Sequence, residues 1–93
     1  MFIVVFGFWD VFKEYTSGDR KLIKKVGERV RFLREKAKKS QFQLSIIAEI
    51  PKNQIGRVER GEINTSLVTL GRIADALEVG IKELFDDSFE ETE

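Results

Sequence analysis

Apolar residues recur along this chain in runs whose period changes from one segment to the next. The first run, "MFIVVFGFWDVF" from Met1 to Phe12, is nearly continuous and carries β-branched Ile3, Val4 and Val5. That pattern predicts an extended strand. "YTSGD", Tyr15 to Asp19, reads as a turn or linker, with Asp19 a cap for the next element. From Arg20 to Lys38 the apolar positions are Leu22, Val26, Val30, Leu33 and Ala37. Steps of three and four place them on one face of a first helix, and Lys and Arg crowd the other face.

Beyond Lys39 the segments shorten. Ser40 followed three residues later by Gln43 is a capping box. Leu44, Ile47 and Ala48 form the inward side of a short second helix. Pro51 can start a helix but not continue one, so the second helix ends before it and a third follows. Ile55 and Val58 anchor the third, and Gly61 closes it at the C′ position. "INTS" is a loop with Ser66 as the next N-cap. Leu67, Leu70, Ile73, Ala74 and Leu77 trace the buried stripe of a fourth helix. Gly80 breaks it, "IKELF" makes a short fifth, and acidic residues follow. The pattern divides the chain into an apolar arm (1–19), a helical domain (20–86) and an acidic tail (87–93). No internal repeat is present.

Ninety-three residues supply one domain with a small core. The chain has no cysteine and no histidine. Disulfides, thiolate chemistry, the usual zinc ligands and the commonest general base are therefore absent. No nucleophile–base constellation stands out, so the chain is expected not to be an enzyme and to need no cofactor or metal. The apolar N-terminal run is stopped by Asp10, far short of the roughly 20 residues a membrane span needs. It also lacks the basic flank and small-residue cleavage site of a secretory signal. The lack of cysteine fits a cytoplasmic location.

Net charge is zero, but its distribution is uneven. Residues 20–60 carry thirteen Lys/Arg against four Asp/Glu, whereas residues 61–93 carry two against nine. A basic middle and an acidic end point to an anionic partner for one face. For any single charge, a solvated helix surface is the simpler reading.

Two short helices joined by a tight turn, within five, is a helix-turn-helix arrangement. "SQFQLSIIAEIPKNQIGRVERGEIN" followed by "SLVTLGRIADALEVGIKELF" resembles the Cro/CI-type (XRE) helix-turn-helix family of phage and bacterial repressors. The resemblance runs from about Val26 to Phe85. It rests on Ser40-Gln41, Leu44, Ile55, the "ERG" of Glu59 to Gly61, and Thr69 to Leu77 taken together in order. It implies an all-α, five-helix, lambda-repressor-like fold that binds double-stranded DNA.

The physics of such a helix can be stated separately. A major groove about 12 Å wide admits one helix whose outward side chains are donors and acceptors. Lys52, Asn53, Gln54 and Arg57 would project that way, with positions 53 and 57 on one face. Gly56 between them keeps the helix slim. The resemblance implies base contacts for Lys52, Asn53 and Arg57. It implies backbone contacts for Arg34, Lys38, Lys39, Gln41, Gln54, Arg60 and the Gly61 N–H. Gln41 is open to a second reading as a simple helix cap. Arg34 and Glu59 resemble a buried ion pair tying the first helix to the third, which makes Glu59 structural.

Three positions depart from the family pattern. Glu49 stands where the turn commonly has Gly, at a cost of about 1 kcal/mol if φ is positive there. Ser45 replaces a commoner Ala. Lys38 and Lys39 replace a Gly–Leu type junction. The expected function is sequence-specific transcription regulation, as a repressor and a homodimer. Residues 2–12 of the arm would supply the dimer contact, or else fold back over their own core. The alternative is an antitoxin-type module that binds a toxin protein and autoregulates its operon.

Overall fold

The computed structural model describes residues 14–86. The strand expected in the arm, the dimer contact expected of residues 2–12 and the acidic tail lie outside the described residues. Four α-helices and one 3-10 helix follow in order: α1 (Ser17–Lys36), α2 (Gln41–Ala48), α3 (Lys52–Glu59), α4 (Leu67–Ala76) and the 3-10 helix Ile81–Phe85. No strand occurs among the described residues.

α1 begins earlier than the sequence pattern suggests. Its N-cap is Thr16, whose Oγ1 accepts from Asp19 N–H at 3.0 Å while Asp19 Oδ2 accepts from Thr16 N–H at 2.9 Å. Asp19 is thus the third helical residue of a capping box, not the cap itself. Gly18 in the first turn made the segment read as a linker. α2 starts with the expected box, Ser40 with Gln43. Ser66 caps α4 by accepting from Thr69 N–H at 3.0 Å.

Each α-helix closes in the same way, with a left-handed residue just past its end. These residues are Lys38, Glu49, Gly61 and Glu78, with φ of 60°, 59°, 71° and 60°. The N–H one residue further on then reaches back to a last-turn carbonyl: Lys39 to Arg34, Ile50 to Ser45, Glu62 to Arg57 and Val79 to Ala74. One of these ends corrects the sequence reading and one meets the condition set there. Glu78, not Gly80, terminates α4, and Gly80 has an ordinary φ of −72°. Glu49 adopts the strained conformation that its place in the turn implied.

The core is one cluster. Val30, Leu44, Ile55, Ile73 and Leu84 are fully buried at its centre, one from each element. Each such side chain contributes about 1.5–3 kcal/mol by leaving water. α1 packs on α3 and the 3-10 helix, and α2 packs on α3 and α4. At the α1–α3 crossing Gly27 is required. A Cβ there would sit 2.1 Å from Val58 O, so only glycine permits the approach.

Four positions assigned to buried stripes are in fact exposed. Leu22, Ile47 and Leu67 are 50%, 53% and 69% exposed, and Ala37 lies at the solvent-facing end of α1. All four lie near helix ends, where the packed stripe runs out. In exchange the core takes Ile50, from the turn, and Arg29. Arg29 pins the 3-10 helix: its Nε donates to Glu83 O at 2.8 Å and its Nη2 lies 3.3 Å from Glu83 Oε1. Its guanidinium also stacks 5.1 Å from the Phe32 ring centre. No described helix is long and apolar enough to cross a membrane.

Candidate functional site

The last turn of α1, the α1–α2 junction, the first turn of α2 and the last turn of α3 meet at one place. Glu59 lies at the centre of that junction. Its carboxylate is buried and accepts from three places: Arg34 Nε to Oε2 at 2.6 Å, Arg34 Nη2 to Oε1 at 3.1 Å, and Gln41 Nε2 to Oε1 at 3.0 Å. Arg34 Nη1 completes the junction by donating to Lys39 O at 2.8 Å. One carboxylate therefore holds the last turn of α1, the first turn of α2 and the last turn of α3 together. The hydrogen bond to Glu59 keeps the Arg34 guanidinium charged and raises its pKa further. No buried side-chain polar atom among the described residues lacks a partner.

α3 is anchored from one side and open on the other. Ile55 and Val58 are buried in the core, and Glu59 in the junction. Lys52, Asn53, Arg57 and Arg60 are exposed. Residues 53, 57 and 60 are spaced four and three apart, so they form one outward row. Gly56 lies between this row and Gln41. A Cβ there would come 2.9 Å from Arg60 Nη1 and 3.5 Å from Gln41 Oε1, so the missing side chain lets Arg60 lie back across the helix.

The expected contact residues divide into groups. Lys52, Asn53, Arg57 and Arg60 are outward on α3, and Lys38 is outward at the α1–α2 junction, where Lys39 is half-buried. Gln41 is half-buried, its amide nitrogen on Glu59 and its oxygen toward Gly56. It is therefore more than a helix cap: Ser40 supplies the cap oxygen, to Gln43 N–H at 3.0 Å. Gln54 is half-buried on the flank of α3.

Two of the expected backbone contacts have donors engaged within the protein. Arg34 is 9% exposed and each of its three nitrogens donates to Glu59 or to the Lys39 carbonyl, so it braces the surface from behind. The Gly61 N–H donates to Val58 O at 3.0 Å, and the residue packs against Lys24 Cα. Gly61 closes the helix and is spent in doing so.

One residue of this surface was not singled out from sequence. Glu62 accepts from Arg60 Nε at 2.7 Å and lies 3.6 Å from Arg57 Nε. The hydrogen bond from Arg60 holds its carboxyl below the usual carboxylate range and raises the Arg60 guanidinium in turn. The only sequence signal was an acid directly after the helix-closing glycine. The described residues hold no cluster of His, Cys, Asp or Glu suited to a metal ion.

A helix-turn-helix domain family model matches residues 25–85. The crystal structure of the restriction-modification controller protein C.AhdI from Aeromonas hydrophila is similar, with 38% sequence identity and a TM-score of 0.67. The match covers 68% of this chain and 96% of that one. No curated protein matches the chain.

Proposed function

The chain belongs to the Cro/CI-type helix-turn-helix family of DNA-binding transcription regulators, and from that premise we propose that it is a sequence-specific repressor reading the major groove with α3. The observation that carries this reading is the outward row of Asn53, Arg57 and Arg60 on a helix fixed from behind by Ile55, Val58 and Glu59. A rigid helix with donors on its open side is what base-edge recognition requires. Asn53 suits adenine and Arg57 suits guanine, with Lys52 beside them at the first turn. Lys38, Lys39, Gln41 and Arg60 flank the row and suit phosphates on either side.

The repressor acts as a homodimer in this reading. Two α3 copies about 34 Å apart match successive major grooves on one side of DNA. Leu22 and Phe85, which line an open apolar groove, and Leu67 and Val68 on the first turn of α4 are exposed apolar side chains that favour self-association. The likeness to a restriction-modification controller makes the genes of such a system the first targets to test.

The test is selection from a random-sequence duplex pool, then affinity measurement across a salt series. Arg57→Ala is expected to flatten preference at one or two base positions and cost about 1–3 kcal/mol. Lys39→Ala is expected to weaken all sequences alike. Equal affinity for all duplexes at physiological salt would overturn the reading, and a monomeric mass of the full chain on its operator would overturn the dimer.

A further inference from the structure

On the outward side of α3 a single carboxylate sits between two arginines. Arg60 grips Glu62 with two nitrogens, Nε to Oε2 at 2.7 Å and Nη2 to Oε1 at 3.3 Å. Arg57 Nε approaches the same Oε1 at 3.6 Å. All three side chains are about half exposed, so the group belongs to the surface and not to the core. Its placement is nonetheless fixed. Gly61 turns left-handed, and Glu62 N–H then donates to Arg57 O at 2.9 Å, which brings Glu62 back alongside the last turn of α3. Gly56 leaves the space in which the Arg60 guanidinium lies.

We propose that Glu62 is a specificity-determining residue of the DNA-binding surface: it aims Arg57 at base edges and removes one positive charge from the general attraction to phosphate. The inference rests on α3 being the recognition helix. Two consequences follow from the geometry. An Arg57 held at Nε by Glu62 can use its two terminal nitrogens to grip guanine O6 and N7 end-on. A side chain already held in place loses less freedom on docking. Second, sequence-independent binding depends on how many cations reach phosphates. Two arginines and one carboxylate carry one net charge here instead of two, so binding to every sequence is weakened together. Specificity is a difference of affinities, and weakening the general term while aiming the specific one widens it.

The test compares the full chain, Glu62→Gln, Arg57→Ala and the double substitution on the selected operator and on a scrambled duplex, across salt. Glu62→Gln is expected to bind the scrambled duplex about threefold more tightly, with a salt slope steeper by up to about 0.9. The operator-to-scrambled ratio should fall by a similar factor. With Arg57→Ala already present, Glu62→Gln should still tighten scrambled binding, but its effect on the ratio should shrink. A ratio that ignores Glu62→Gln, or that changes equally in both backgrounds, overturns the inference while leaving α3 as the reading helix. An unsubstituted protein with no preference overturns the recognition reading itself, and the inference with it.

Discussion

Arg34 and Glu59 meet as a two-pronged pair, 2.6 Å and 3.1 Å apart, beneath the surface that α3 presents. The carboxylate is almost fully buried and the guanidinium nearly so. Neither faces a partner directly, yet the pair decides where the facing residues stand. It joins Arg34 on α1, Gln41 on α2 and the last turn of α3 through one carboxylate. The angle at which Asn53 and Arg57 leave the protein therefore depends on a contact behind them.

Breaking this pair from one side leaves a charge buried without its counterpart. Glu59→Gln keeps the shape and removes the charge, and should cost about 3 kcal/mol of folding stability. Replacing both residues together, Arg34→Met with Glu59→Met, should recover a large part of that loss, because no charge then remains buried. Urea unfolding of the single and double variants measures both. A single substitution costing well under 1 kcal/mol would show that the pair does not hold the junction.

Gly27 and Gly56 face opposite situations. A Cβ on Gly27 would sit 2.1 Å from Val58 O and 3.0 Å from Glu59 O, backbone atoms that cannot move unless α1 and α3 separate. Gly27→Ala should cost about 1–3 kcal/mol by overpacking. A Cβ on Gly56 would meet the tip of Arg60, a flexible side chain that can swing aside. Gly56→Ala should be neutral or stabilise the fold by up to about 1 kcal/mol through helix propensity, while moving the Arg60 guanidinium and weakening DNA binding. Thermal unfolding and affinity measured on the same two variants separate the cases. Equal effects on stability would contradict the geometry.

The helices, the N-caps of α2 and α4, and the outward places of Lys52, Asn53 and Arg57 on α3 were legible from periodicity, from Ser40 with Gln43, from Ser66, and from Pro51 and Gly61. Those signals are local, and local sequence specifies them. What the pattern did not reveal depends on distant pairs. Arg29 looked like one more cation on a charged face, and only the arrival of the 3-10 helix buries it against Glu83. Arg34 and Gly61 looked available to phosphate, and their nitrogens donate to Glu59, the Lys39 carbonyl and the Val58 carbonyl. Leu67 fits a helical stripe by spacing, yet α4 enters the core only from Leu70 onward. Glu62 emerged only when its two arginines were brought to it.

The chain contains no histidine, and Glu62 is held below the usual carboxylate range by its hydrogen bond from Arg60. A lowered carboxyl contributes in full above its ordinary pKa, and that contribution is lost as pH falls through the lowered value. The charge of the α3 surface should therefore be constant across neutral pH, and operator affinity should be flat between about pH 6 and 8. Anisotropy titrations at fixed ionic strength test this. A step in affinity within that window would contradict it.

Lys38, Glu49 and Glu78 each close a helix with φ near 60°, a conformation that glycine adopts without strain. The strain is about 1–2 kcal/mol for a residue with a Cβ, offset in part by the greater freedom glycine has when unfolded. Glycine at each position should therefore raise stability by about 0.5–1 kcal/mol. Their effects on DNA should differ. Arg57 and Arg60 pair with Glu62 and not with Glu49 or Glu78, so Glu49→Gly and Glu78→Gly should leave the salt dependence of binding unchanged. Lys38 is exposed at the α1–α2 junction, beside the proposed phosphate contacts. Lys38→Gly should stabilise the fold yet weaken binding to all sequences alike, with a salt slope shallower by about 1. Urea midpoints and salt titrations on the three variants measure the two properties independently. A Lys38→Gly protein that is more stable and binds as before would remove Lys38 from the contact surface.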